Sequence, residues 1–172
     1  MKGRFSTDRA TMMAFKTETD AEQRATSRRA DWFGILSRSH AGELDALAAD
    51  AADGVAFEWL RRPHVGLVMV RGRAGGTGQV FNLGEMTVAR ASVRLADGTV
   101  GHGYVQSRDK RQAELAAIVD ALLLQEHRHD EIMAKVIEPL RQKEQTRRIE
   151  KSRKAASTKV EFFTMVRGEN PA

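Results

Sequence analysis

The spacing of apolar residues predicts helices on both sides of a β-rich middle segment. From Asp20 onward apolar residues recur every three or four positions, and Ile35 and Leu36 lie in the resulting stripe, which predicts an amphipathic helix. A second, shorter helix is predicted over residues 43–52. Because only a short break separates the two helices, the pattern predicts an N-terminal helical hairpin.

In the middle of the chain the period of the apolar residues shortens to two, which predicts β-strands. The first two strands are predicted over residues 57–60 and 65–73. Pro63 separates them, since proline has no backbone N–H to donate. A third strand is predicted from residue 81 to 95. The pattern therefore predicts an antiparallel sheet between Phe57 and Ser107.

Asp97-Gly98 predicts a two-residue type I′ hairpin turn, because this dipeptide tolerates positive φ at both central positions. Such a turn would set Gly101 opposite Arg94 and place Gly103 on the same face of the hairpin. That face would carry few side chains on one strand, so it would admit the backbone or an aromatic ring of a neighbour. Arg90 and Arg94 would border it.

The second half of the chain is predicted to be helical up to a final strand. Asp109 is the expected N-cap of a helix whose apolar residues occupy most of its circumference, which is typical of a buried helix. A longer helix is predicted over residues 131–156, bent or restarted at Pro139. Residues 160–166 read as an apolar strand that should be paired. The predicted fold is α+β: an antiparallel β-sheet packed with helices, an N-terminal helical hairpin, and a C-terminal helix plus strand.

Composition narrows the class of protein. A chain of 172 residues with 41% hydrophobic content is long enough for one core, so we predict a disordered tail over residues 1–19 and a single domain over residues 20–172. The absence of cysteine excludes disulfides, thiolate zinc sites and thiol nucleophiles, and it is consistent with a reducing compartment. No apolar run is long enough to span a membrane, so we expect a soluble, cytoplasmic protein.

The positive charge of the chain is concentrated near its C-terminal end. Between residues 141 and 159 there are eight Lys or Arg and two Glu, whereas the whole chain carries a net charge of +5. A basic helix of this kind raises the possibility of nucleic-acid binding. No aromatic side chains interleave with the cations for base stacking, so a solvated face or a subunit contact is the favoured interpretation.

The segment from Gly66 to Arg90 is unusually rich in glycine and arginine, and its sequence RAGGTG lies between two predicted strands. It matches neither a P-loop nor a dinucleotide fingerprint, because Gly-Lys followed by Ser or Thr is absent and the glycine spacing of the fingerprint fails. Two interpretations stay open. The loop is either a tight structural turn or an anion-binding nest of backbone amides assisted by Arg71 and Arg73.

Candidates for acid–base or anion chemistry are few and scattered. Glu85 is an isolated carboxylate in a strand, and we expect it to pair with Arg90. Arg108 and Lys110 flank the N-cap Asp109, where they would either assist anion binding or simply accompany the cap. The spacing of the histidines predicts no metal site. The residues therefore predict no catalytic set in this chain.

Four segments together resemble a known family. They are VRGRAGGTG, FNLGEMTVARASVRLADGTVGHGYVQSRDK, AELAAIVDALLLQ and the ending TKVEFFTMVRGEN. They are similar to PhnG, the G subunit of the carbon–phosphorus (C–P) lyase system for phosphonate degradation, and the similarity extends from about Arg28 to Asn170.

The resemblance implies a function that composition and spacing do not reveal. In that family the G subunit acts with the H, I and L subunits to transfer the ribose triphosphate of ATP onto an alkylphosphonate, with release of adenine. A separate J subunit later breaks the C–P bond, and G, H, I and J form a stable core complex. The resemblance thus implies H, I, J and L as partners, with I in direct contact, and implies no nucleic acid or membrane partner.

Because this chain offers no convincing catalytic set, we expect it to have an assembly or site-completing role and no cofactor of its own, with ATP and Mg as substrate of the complex. The alternative is an independent nucleotide-binding enzyme that uses the RAGGTG loop. We predict no catalytic and no metal-binding residue in this chain. The candidates for substrate binding or subunit contact are Arg71, Arg73, Gly75, Gly76, Gly78, Glu85, Arg90, Arg108 and Lys110.

Overall fold

Helices precede and follow an antiparallel sheet of three strands. The structure is a computed structural model that describes residue 23 and residues 25–157. The predicted tail and the predicted strand over residues 160–166 lie outside the described residues. The predicted α+β class is confirmed. In chain order the elements are α1 (25–38), α2 (Ala41–Ala52), β1 (Phe57–Arg73), β2 (Val80–Leu95), β3 (Val100–Val105), α3 (Lys110–Leu123), α4 (Glu126–Ile132) and α5 (Glu138–Ser157).

The strand order is β1-β2-β3, with β2 in the centre. The prediction of two strands on either side of Pro63 is wrong, because β1 runs without interruption from Phe57 to Arg73. Its register against β2 shifts on both sides of Arg61, so irregular pairing surrounds the proline. An edge strand tolerates proline because a missing N–H costs no ladder hydrogen bond there.

The turn between β2 and β3 is one residue longer than predicted. Gly98 N–H donates to the carbonyl of Leu95, and Leu95 N–H donates to the carbonyl of Thr99. Gly98 has φ 88°, whereas Asp97 does not have the positive φ that a type I′ turn would require of it. These features are typical of a three-residue loop that ends with a glycine in the left-handed region. The predicted register is therefore wrong by one residue, and Gly101 pairs with Val93 instead of Arg94.

This register turns the glycines of β3 toward the core. Gly101 and Gly103 pair with the buried residues Val93 and Ala91, and helix α3 crosses directly over them. A Cβ on Gly103 would lie 2.0 Å from the carbonyl oxygen of Ala113. Of the two neighbours predicted for this glycine-containing face, a backbone or an aromatic ring, the structure shows the backbone of helix α3. The expected arginine border of this face is wrong, because Arg90 and Arg94 alternate with Ala91 and Val93 and face the other way.

Helix α3 is buried between the sheet and α2, and it supplies much of the apolar core. Asp109 caps it as predicted, because its carboxylate accepts from the backbone N–H groups of Arg111 and Gln112 at 2.8 and 3.2 Å. Gln112 does not complete a capping box. Its side chain instead donates to the carbonyl of Ser39 at 2.7 Å, which ties the start of α3 to the α1–α2 connection.

The C-terminal helical region contains the predicted irregularity near Pro139. Residues Met133–Ile137 form a π-helical turn between α4 and α5. Proline at position 139 cannot donate to the carbonyl four residues earlier, and its ring crowds that turn, so a wider turn precedes it. Most of α5 is exposed to solvent. A pair of hydrogen bonds from Arg147 to the carboxylate of Glu43, at 2.6 and 2.8 Å, holds α5 against α2.

Candidate functional site

A two-stranded arm extends from the sheet and contains most of the candidate residues. We define the arm as residues 66–73 of β1, residues 80–88 of β2 and the loop 74–79 between them. Pairing between β2 and β3 reaches only to Ala89, so the described residues provide no third strand along the arm. At about 3.3 Å per residue, the arm extends roughly 25 Å beyond the three-stranded part of the sheet.

The glycines of the RAGGTG loop make a tight turn at the tip of the arm. Gly75 and Gly76 have φ values of 59° and 82°, a region that side chains with a Cβ disfavour. A Cβ on Gly78 would lie 2.6 Å from the carbonyl oxygen of Ala74. The N–H groups of Thr77 and Gly78 both donate to that same carbonyl. Because these amides are used within the turn, the geometry favours a structural turn over an anion-binding nest.

One face of the arm continues the core face of the sheet, and we call it the inner face. It begins at Val65, which pairs with the buried Ala89, and continues through Leu67 and Met69. Helix α3 does not cover these side chains, and 60% of Leu67 and 53% of Met69 is exposed. Val80, near the tip on the same face, is also exposed. The inner face therefore exposes an apolar patch on β1, and Thr87 and Glu85 lie opposite it on β2.

The opposite face of the arm, the outer face, is apolar as well. Val68 and Val70 alternate with the inner-face residues and are half-buried. A register shift between Val70 and Arg71 leaves Leu83 as an extra residue on β2. A Cβ on Gly72 would lie 3.7 Å from Phe81 and 3.9 Å from Leu83, so these two side chains share its face. Phe81 is 46% and Leu83 65% exposed.

Two arginines give the tip of the arm a positive charge. Arg71 and Arg73 line a crevice of about 460 Å³ together with the loop residues 77–79. Arg73 donates to the carbonyl of Gly78 at 3.2 Å, which braces the turn. Within the described part of the chain, Arg71 makes no ion pair or hydrogen bond through its side chain. No other described residue therefore compensates its charge through an ion pair.

The expected ion pair between Glu85 and Arg90 is wrong. The two residues are five positions apart on a regular stretch of β2, and an odd separation places them on opposite faces of a strand. Glu85 pairs across the arm with Met69 on the inner face. Arg90 Nε instead donates to His64 Nε2 at 2.8 Å. This bond joins β1 to β2 at the base of the arm.

The candidate residues do not form one cluster. The loop glycines, Arg71 and Arg73 lie at the tip, Glu85 lies along the arm and Arg90 lies at its base. Arg108 and Lys110 follow the end of β3, which pairs with Ala89, so they lie near the base and not near the tip. A single small ligand cannot contact both ends of an arm of this length.

Asp120 is a buried carboxylate that the sequence reasoning overlooked. Its side chain has no solvent exposure. It accepts from Arg29 Nη2 at 2.7 Å, from Trp32 Nε1 at 2.9 Å and from the backbone N–H of His102 at 2.8 Å. These three hydrogen bonds connect α1, α3 and β3, and they compensate the negative charge of the Asp120 carboxylate. Asp120 is therefore a structural residue. The sequence could have indicated this role, because Asp120 is the one carboxylate in the second half of the apolar sequence AELAAIVDALLLQ, and a carboxylate on a buried helix needs partners.

The described residues also lack two features that would indicate other classes of protein. Over residue 23 and residues 25–157, no three His, Asp or Glu side chains are grouped so that they could hold a metal ion. No helix in that same part of the chain is both long and apolar enough to cross a membrane. The most distinctive surface is thus the arm.

A small α+β protein whose exposed arm carries apolar side chains on both faces has the kind of surface that binds other polypeptide chains. The comparisons with known proteins agree. The chain belongs to the PhnG family: the family model described as "Phosphonate metabolism protein PhnG" matches residues 27–168. The chain is also 45% identical, over 168 residues, to the alpha-D-ribose 1-methylphosphonate 5-triphosphate synthase subunit PhnG of Rhizobium meliloti (strain 1021). That match covers 92% of this chain and 99% of the relative.

Proposed function

We propose that this chain is a subunit of a C–P lyase core complex and acts with H, I and L subunits on ATP and an alkylphosphonate. In this reaction the bond between ribose C1′ and adenine breaks, and a bond between C1′ and a phosphonate oxygen forms. Family membership and 45% identity to a subunit of alpha-D-ribose 1-methylphosphonate 5-triphosphate synthase support the proposal. Because ATP is the substrate, we place the chain in the cytoplasm.

Within that complex we assign the chain an assembly or site-completing role. Substitution at an anomeric carbon calls for a carboxylate that stabilises an oxocarbenium-like transition state and an acid for the leaving group. A metal usually holds the triphosphate. Among the described carboxylates, Asp109 caps a helix, Asp120 is enclosed in a buried network and Glu85 stands without an acidic neighbour on β2. Mg and ATP are therefore proposed as substrate of the complex and not as ligands held by this chain alone.

The observation that carries the proposal is the exposure of apolar side chains on both faces of the arm. A surface of this kind is costly in water, whereas contact with another subunit would bury it. We propose the I subunit as the direct partner. H and J subunits complete the stable core, as the family resemblance implies.

The proposal is tested by reconstitution with cognate subunits. We expect the complete set to convert ATP and an alkylphosphonate with release of adenine, and the same set without this chain to be inactive. The isolated chain is expected to leave ATP unchanged. Robust nucleosidase activity of the isolated chain would contradict the assigned role.

Two variants separate assembly from site completion. Glu85→Gln and Arg73→Gln are introduced singly, and both the yield of the co-purified complex and its turnover are measured. Loss of complex indicates an assembly role for that residue, whereas an intact but inactive complex indicates that it completes the site. Lys151→Gln on the exposed α5 serves as the matched control and should change neither quantity.

The alternatives have less support. An independent nucleotide-binding enzyme would need the RAGGTG amides, but those of Thr77 and Gly78 already donate to Ala74. Calorimetry of the isolated chain with ATP tests that alternative. A nucleic-acid binder acting through α5 would show a steep salt dependence with DNA or RNA. Part of the α5 charge is already compensated, since Arg147 pairs with Glu43 and Glu144.

A further inference from the structure

We propose that the arm is inserted into a cleft of a partner subunit, with one apolar wall against each face of the arm and acidic side chains where the tip ends. This inference rests on the proposed function, because it specifies the surface that the partner must offer. In this arrangement the partner contacts both faces of the arm, whereas a flat partner surface would contact only one.

The first argument is that each face of the arm exposes apolar side chains, although Glu85 also lies on the inner face. The inner face exposes Leu67 and Met69, and the outer face exposes Phe81 and Leu83. A ribbon that contacts a partner on one side normally alternates apolar and polar residues, whereas strands buried on both sides read as continuous apolar runs. The arm contains such a run, residues 67–70 (LVMV). One wall would leave the other face of the arm in water.

The second argument excludes packing of two arms against each other as the contact that covers both faces. A symmetric contact uses the same patch on both copies, so two arms that pack face to face would cover only one face each. The other face would stay exposed on both copies. A partner of different shape, with a groove between two surfaces, has no such restriction. The proposed function supplies such a partner in a different subunit of the complex.

The third argument concerns charge at the tip. Arg71 makes no side-chain ion pair or hydrogen bond within the described part of the chain, and Arg73 is bonded only to a carbonyl oxygen. Burying an arginine without a counter-charge is unfavourable, because desolvation is then uncompensated. Aspartate or glutamate side chains at the end of the cleft would compensate both arginines, with bidentate geometry available to Arg71.

Cysteine labelling of the reconstituted complex tests the two walls, since the chain contains no cysteine of its own. Leu67→Cys reports on the inner face, Leu83→Cys reports on the outer face, and Asp130→Cys on the exposed side of α4 is the control. Each variant is labelled with a maleimide, both as the isolated chain and in the purified complex. We expect labelling at positions 67 and 83 to slow at least about tenfold on assembly, because a thiol in a dry contact is inaccessible. Labelling at position 130 should not change.

The possible outcomes separate this inference from the proposed function. If the complex assembles but only one of the two arm positions is protected, or neither is, the two-walled cleft is refuted while the subunit assignment stands. Protection that rises with the concentration of the isolated chain would identify a second copy as the occupant and would also refute the inference. If the wild-type chain does not co-purify with the cognate subunits at all, the proposed function itself fails.

The acidic end of the cleft is tested separately by charge reversal. Arg71→Glu should weaken co-purification at least about tenfold at low salt, since it places like charges together. Lys151→Glu makes the same change of charge on exposed α5 and should have no effect. Unchanged assembly of the Arg71→Glu variant would refute an acidic end, and tighter assembly would indicate a basic one.

Discussion

Replacing Gly103 by alanine is expected to destabilise the fold strongly, because α3 lies where the new methyl group would be. The Cβ would lie 2.0 Å from the carbonyl oxygen of Ala113 and 2.9 Å from the backbone nitrogen of Ala117. An ordinary contact begins at 3.4 Å, so α3 would have to move outward by more than 1 Å. A movement of that size opens the packing of the helix that contributes most to the core.

The magnitude follows from two opposing contributions. Overpacking a well-filled site costs about 1–3 kcal/mol and occasionally more, and a clash with helix backbone belongs at the upper end. Alanine is favoured over glycine in a strand by about 0.5–1 kcal/mol. The net loss in the free energy of unfolding is therefore about 2 kcal/mol or more. For a chain of this size that corresponds to a fall in Tm of about 4–8 °C.

Urea unfolding at low protein concentration, followed by the fluorescence of the buried Trp32, measures this loss. Gly84→Ala is the matched control, because Gly84 also lies in a strand, has no positive φ and would place its Cβ in open space. It should gain up to about 1 kcal/mol. If Gly103→Ala unfolds within about 0.5 kcal/mol of the wild-type chain, the close approach of α3 to β3 is not a feature of the protein in solution.

Three further predictions concern other parts of the structure. Asp120→Ala should lower the free energy of unfolding by about 2–4 kcal/mol in urea, because it leaves the N–H groups of Trp32 and His102 unpaired and removes the counter-charge of the half-buried Arg29, and a change below about 1 kcal/mol would contradict the buried network. The pKa of Glu43 lies below its ordinary value: partial burial would raise it, but the hydrogen bonds and charge of Arg147 outweigh that effect. The Glu43–Arg147 interaction therefore stabilises the fold fully above about pH 4.3, and this stabilisation is lost as pH falls through the lowered pKa. Glu43→Gln should therefore reduce the loss of stability in acid, measured as Tm against pH, and an unchanged profile would contradict this. Leu67→Ser combined with Leu83→Ser should lower aggregation of the isolated chain, measured by light scattering, without lowering its Tm by more than about 2 °C, because both side chains are mostly exposed.

Sequence periodicity predicted most of the described helices and strands, because burial imposes periods of 3.6 and 2 on the apolar residues, although it divided β1 into two strands. The helix capped by Asp109 and the strand from Val80 to Leu95 are examples. The register of the second hairpin was missed because Asp97-Gly98 suits two kinds of turn, and both place Gly98 in the left-handed region. The choice between them depends on α3, which packs onto Gly101 and Gly103 only in the observed register.

The character of the arm was also beyond local sequence reasoning. A short apolar run such as residues 67–70 predicts a strand but does not show whether the run is covered within the same chain. The expected Glu85–Arg90 pair failed because the two residues lie on opposite faces of β2, and Arg90 found His64 on β1 instead. Whether the apolar run is covered, and which residue Arg90 contacts, both depend on contacts between residues that are far apart in sequence.

Strands β1 and β2 run continuously from the three-stranded part of the sheet to the tip of the arm. The direction of the arm is therefore set before a partner arrives, and little conformational entropy remains to be lost on binding. The same continuity restricts how the arm can change in evolution. Adding one residue to a strand would exchange its inner and outer side chains beyond that point. Members of the family should therefore differ in arm length by two residues per strand, or by a compensating bulge, and seldom by one.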